Sequence, residues 1–143
     1  EDTGEPAMAI ELPDGRIVTG KTSPLLGASA ACLLNALKAL AGIDKKLLLI
    51  APSIIQPIQN LKVQHMGNHN PRLHTDELLI ALAISAVTNP MAGYAVDKLA
   101  ALRGCEAHSS VILSNVDTDV FKKLGVNITF EPKYQAKKLF HKK

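Results

Sequence analysis

"DGRIVTGKTS", residues 14–23, is the stretch on which the reading of this chain turns. Its inner string GRIVTGKT fits G-x-x-x-x-G-K-[ST], the pattern of a loop whose backbone amides cradle phosphates ahead of a helix. The four variable positions are Arg16, Ile17, Val18 and Thr19, three of them β-branched. Branching at Cβ stiffens χ1 and favours a strand. The β-rich runs AMAIEL (7–12) and RIVTG (16–20) flank Pro13-Asp14-Gly15, and Asp-Gly between such runs is a strong hairpin signal. Gly15 is then a turn residue, and amides held in a sheet ladder cannot wrap a phosphate. The stretch reads as a hairpin rather than a nucleotide-binding loop.

Beyond it, SPLLGASAACLLNALKALAG predicts a helix with Ser23 at its N-cap, Pro24 at the first helical position and Gly42 as its stop. Leu26, Ala30, Leu33, Leu34, Leu37 and Leu40 fall on one face. Lys21, Thr22 and Ser23 would then sit at a helix N-terminus, which favours an anion. KLLLIA (46–51) reads as a central strand buried on both faces, reached by a right-handed crossover. A helix from Pro52, started by Ser53, leads to a loop over 63–74. Thr75 caps the next helix, and Asn89-Pro90 starts another that runs to Arg103 and Gly104. SSVILS (109–114) is a strand, Asp117 caps a short helix ended by Gly125, and VNITF (126–130) is the last strand. The expected fold is α/β, a three-layer sandwich with a mixed five-stranded sheet covered on both faces.

A core poor in aromatics (3%) must be built from Leu, Ile, Val and Ala, which suits helices packed on a sheet. Residues 1–6 read as a linker from a missing N-terminal part, 7–132 as one domain and 133–143 as a basic tail. Five of the 16 basic residues lie in that tail; setting them aside leaves 11 against 13 acidic, so the body carries no basic face for nucleic acid. The longest apolar stretch, 78–87, is too short to span a bilayer. Two cysteines without a secretory leader fit reduced thiols in a cytoplasmic protein.

Four of the five histidines fall in two loops. One offers His65, Asn68, His69, Asn70, Arg72 and His74; the other offers Arg103, Cys105, Glu106, His108, Ser109 and Ser110. His65, His69, His74, Cys105 and His108 are ligand types that zinc accepts, but their spacing matches no tight metal template, so no metal site is assigned. Cys105 beside Glu106 and His108 is a weak catalytic candidate, because a nearby imidazole can activate a thiolate. The favoured reading is a phosphate or carboxylate site formed by Lys21, Thr22, Ser23, Asn68, His69, Asn70, Arg72, His74, Arg103, His108 and Ser109, with Arg matching such anions bidentately. No cofactor is identified.

The strings ELPDGRIVTGKTSPLLGASAACLLNALKALAGID, GNHNPRLHTDELLIALAISAVTNP and LRGCEAHSSVILS closely resemble the C-terminal part of a bacterial family of about five hundred residues. This is domain-of-unknown-function family 1846, also called uncharacterised protein family 0371. The resemblance implies a cytidine-deaminase-like topology, and longer members whose N-terminal part carries a GSGK-like segment closer to a true phosphate loop. Zinc deaminases of that fold need a His or Cys and a Glu at one helix start and P-C-x-x-C at the next. Here GAS (27–29) and PSIIQ (52–56) stand there, so the zinc site is lacking. The function expected is a ligand-binding domain that completes a phosphate or nucleotide-like site with the missing N-terminal part. The alternative is a structural module for oligomerisation, as a homo-oligomer, or for interdomain docking.

Overall fold

A computed structural model describes residues 7–131; the linker and the basic tail expected from the sequence lie outside the described residues. Strands β1 (Ala7–Glu11) and β2 (Ile17–Lys21) precede helix α1 (Ala28–Ala41). Helix α2 (Pro52–Asn60) continues into a π-helical turn over Leu61–His65, followed by α3 (Thr75–Ser85) and α4 (Pro90–Asp97). Strand β3 (Glu106–Ser109), helix α5 (Asn115–Leu124) and strand β4 (Asn127–Phe130) complete the order. The sheet is mixed and four-stranded, β2-β1-β3-β4, with β1 antiparallel to both neighbours and β4 parallel to β3.

The opening stretch is the expected hairpin. Ala7 faces Lys21 and Glu11 faces Ile17, with Gly15 at φ +91° in the turn. Asp14 fixes that turn, its carboxylate accepting from the Arg16 amide (3.0 Å) and Arg16 Nε (2.7 Å). Because β2 is an edge strand, half of its N–H groups face β1 and half face the free edge. A pleated strand sends successive amides to opposite sides, whereas a phosphate cradle needs them to converge. The second glycine of the pattern is explained by packing: a Cβ on Gly20 would stand 2.2 Å from the backbone nitrogen of Cys32 in α1.

Burial alternates over Met8–Glu11 of β1 and along β3. Met8, Ile10, Ala107 and Ser109 are buried, while Glu11, Glu106 and His108 are exposed. The buried face meets Leu33, Leu37, Leu78, Leu82, Leu102 and Phe121, each fully enclosed. Side chains of that size stabilise the fold by about 1.5–3 kcal/mol apiece. Among the described residues no element covers the other face, so the three-layer expectation is corrected to helices on one face.

The five-strand expectation is also corrected, and with it the cytidine-deaminase-like topology. Residues 46–51 are a loop: Leu48 is 69% exposed, and Lys38 Nζ, buried on α1, donates to the carbonyls of Lys45 and Leu47. Carbonyls turned toward one ammonium are not available to a sheet ladder. The strand expected at 109–114 lies at 106–109 instead. Ser109 Oγ bonds both the amide and the carbonyl of Val111 and turns the chain out of the sheet. Helix α1 begins at Ala28 rather than after Ser23, because Ser23 Oγ accepts from the amides of Leu25 and Leu26 in a local turn. His74 and Ser114, not Thr75 and Asp117, are the residues preceding α3 and α5. Gly42 and Gly125 do end their helices, and Asn89 does cap α4 through the Met91 amide.

Candidate functional site

The chain leaves β2 at Lys21 and β3 at Ser109 on the same side of the sheet, since both strands run antiparallel to β1. That is the side on which open α/β sheets receive ligands, beyond the C-terminal ends of parallel strands. A third segment joins them there: Leu26 and Leu73 form a parallel bridge, with the Leu73 amide donating to Leu25 and the Gly27 amide to Leu73. Together they enclose a pocket of about 160 Å³.

Three helices begin at this pocket, α1 at Gly27–Ala28, α3 at His74 and α5 at Ser114. Two of the three are capped. Ser114 Oγ accepts from the Asp117 amide, and Asp117 Oδ1 accepts from the Thr75 amide (3.0 Å) and hydroxyl (2.7 Å). Glu77 reaches back to the His74 amide at 2.8 Å. Helix α1 has no side-chain cap and no acidic residue in its first turn. Gly27, Ala28 and Ser29 at its start line the pocket, and by helix geometry its first-turn amides have no intrahelical acceptor.

Arg72 and His74 are held in place from below. Lys62, in the π-helical turn, is 3% exposed and donates to the Arg72 carbonyl and to Glu77 Oε1 (2.8 Å), with His74 Nδ1 at 3.4 Å. Burial alone would raise the Glu77 carboxyl, but the hydrogen bonds from Lys62 and the His74 amide, with the Lys62 ammonium charge, leave it below its ordinary range. Arg72 Nε donates to the Ser23 carbonyl, and Asn70 Oδ1 accepts from the Arg72 amide, fixing the root of the guanidinium.

Of the residues expected to bind, the structure brings Thr22, Asn70, Arg72, His74 and Ser109 to this pocket. It does not bring the others. Lys21 is exposed and belongs to the alternation of the open sheet face. Ser23 is engaged in its turn, and Asn68 and His69 are exposed. Arg103 lies in a separate depression with Pro13 and Glu106. His108 is on the open face, bonded to Thr129 (2.8 Å) and Glu131 (3.0 Å). Sequence reasoning did not single out Ser29, Lys62 or Asp117 for this site. Gly27 before a long apolar helix was the signal for the first, and a lysine within an apolar helical period the signal for the second.

The catalytic candidates are apart. Cys105 is buried in the core while His108 is exposed, three positions on, and Glu106 accepts from Asn127 Nδ2. Burial pushes the Cys105 thiol up, with the Glu11 charge adding to it, and burial pushes Cys32 up to about 12. Both are thiols at neutral pH, a poor state for a nucleophile. Iodoacetamide is expected to leave both cysteines of the folded chain largely unmodified over a time that alkylates the unfolded chain fully, read by intact mass. Among the described residues no three His, Cys, Asp or Glu side chains cluster as metal ligands, and no helix is long and apolar enough to cross a membrane.

Comparison with known proteins places this geometry in context. Residues 1–140 match the family described as "Domain of unknown function DUF1846, C-terminal". A UPF0371 protein of Corynebacterium glutamicum (strain R) is 59% identical over 143 residues, covering 100% of this chain and 29% of that protein. A UPF0371 protein of Streptococcus pyogenes serotype M5 is 58% identical over 142 residues, covering 99% and 29%. The chain thus spans under a third of the length of these relatives.

Proposed function

The chain belongs to the DUF1846 C-terminal domain family, and from that premise we propose that it is a ligand-binding domain that holds an anionic group, of the phosphate or carboxylate type, at the N-terminus of α1. One observation carries the reading: a fourteen-residue helix with no side-chain cap begins at a pocket that Arg72 also lines. Free N–H groups, the helix dipole and a guanidinium all favour negative charge at one point. The relatives' greater length supports a site finished by another part of the same protein.

Replacing Arg72 by Gln is expected to weaken phosphate binding about 10- to 100-fold, the size of a lost charge-assisted hydrogen bond. Isothermal titration of the full-length protein checks this. Unchanged affinity in Arg72→Gln would remove the guanidinium from the site.

A second reading, interdomain docking, is favoured by a separate observation. Leu48, Ile84 and Val87 are 69%, 53% and 83% exposed and line one uncharged groove with Pro52 and Ile54. Exposed apolar surface of this kind marks contact sites, and the remainder of the longer protein is the occupant that the relatives' length suggests. The two readings use different surfaces and are compatible.

A further inference from the structure

Helix α3 and the turn that follows it are apolar on every side. From Leu78 to Val87 the one polar side chain is Ser85, whose hydroxyl donates to the Ala81 carbonyl at 2.8 Å. Leu78, Ala81 and Leu82 are buried, and the helix packs against α1, α2, α4 and α5. The remaining stripe is exposed and no less apolar: Ile80 (59% exposed), Ala83, Ile84 and, past the helix end, Val87. A helix whose outer side meets water carries charge there, as α5 of this same chain does with Asp119, Lys122 and Lys123. A helix apolar all round is one that is buried all round.

Length and charge say what covers the stripe. This domain is 29% of the Corynebacterium glutamicum relative, and its family is described as C-terminal, so the remainder of such a protein precedes it on the same polypeptide. A tethered part reaches the stripe without the loss of translational freedom that binding a second copy incurs. Ile84 and Val87 belong both to the stripe and to the groove at Leu48 and Ile54, and neither surface carries a charged side chain. A charge brought against them would be buried unpaired, so the covering surface is apolar as well. We infer that α3 is an interior helix of the whole protein, its outer stripe enclosed by an apolar face of the preceding part, so that the two parts share one core. This inference rests on the docking reading given above and carries it from the groove to the length of the helix.

Two variants of the full-length protein separate the helix from the groove: Ile80→Cys, on the stripe and outside the groove, and Leu48→Cys, in the groove and off the helix. Both side chains are exposed in this domain, so neither change disturbs its core. Iodoacetamide is expected to label each position about tenfold or more slowly in the folded protein than in the same variant unfolded, read by peptide mass, at a rate independent of protein concentration. Hydroxyl-radical oxidation of the wild-type protein reads Ile80 without a substitution, and the same protection is expected there. Ile80→Cys labelled at the unfolded rate while Leu48→Cys stays protected overturns the inference and leaves docking at the groove standing. Labelling of both at the unfolded rate overturns both. Protection of Ile80→Cys that disappears on dilution assigns the stripe to a second copy and overturns the inference too.

Discussion

Gly20→Ala is expected to destabilise the chain by about 3 kcal/mol or more, at the upper end of overpacking costs, because the new Cβ meets backbone rather than a movable side chain. It would lie 2.2 Å from Cys32 N, 2.5 Å from Cys32 Cα and 2.8 Å from the Ala31 carbonyl carbon, so α1 must shift off the sheet. Chemical denaturation reads the loss. Lys21→Ala, on an exposed strand residue, is expected to change stability within about 0.5 kcal/mol. A phosphate loop would give the reverse pattern, with the lysine essential for ligand and the glycine tolerated by the fold. A small effect at Gly20 would mean that α1 does not rest on β2.

Lys62→Met should carry the next largest cost. It leaves Glu77 without its ammonium partner, and frees the Arg72 carbonyl as well. Removing one partner of a buried pair costs roughly 3–5 kcal/mol, and the 27% exposure of the Glu77 side chain brings the expected loss to about 2–3 kcal/mol. The melting temperature should fall by roughly 5–10 °C. The pH dependence has a definite sign. Glu77 is lowered in the folded chain, so its contribution is fully present above its ordinary value of 4.5 and fades as pH falls through the lowered one. The deficit of Lys62→Met relative to wild type should therefore shrink in acid. Adding Glu77→Gln to Lys62→Met should recover part of the loss, since no unpaired carboxylate remains. A deficit constant down to the lowest pH would show that Lys62 acts by packing alone.

These two residues also mark what could be read from the sequence and what could not. Local signals carried far: Asp14-Gly15 gave the hairpin, Asn89-Pro90 the start of α4, and Gly42 and Gly125 the ends of two helices, because each is set by backbone chemistry within a few residues. Where tertiary contacts decide, the pattern misled. The Leu47–Ile50 run looks like a buried strand, but Lys38 clips its neighbouring carbonyls from another element, and no periodicity encodes that. β3 shows so little apolar character that the adjacent Val111–Leu113 run drew the strand away from it. The site suffered from the same shift. Starting α1 at Ser23 put Lys21 at the helix end; starting it at Ala28 puts Ser29 there instead and turns Lys21 to the open sheet face. Asp117, taken as the cap of its own helix, binds Thr75 across the chain, forty-two residues away in sequence.

The most direct measurement is a phosphate titration of the full-length protein, isotopically labelled within the present 143 residues, followed by amide chemical shifts. The amides of Ala28, Ser29 and Ala30 and the side-chain Nε–H of Arg72 should move together and saturate, while those of Ile17 to Gly20 stay in place. Saturating shifts centred on residues 16–22, or none at the start of α1, would contradict the assignment of the anion to that helix.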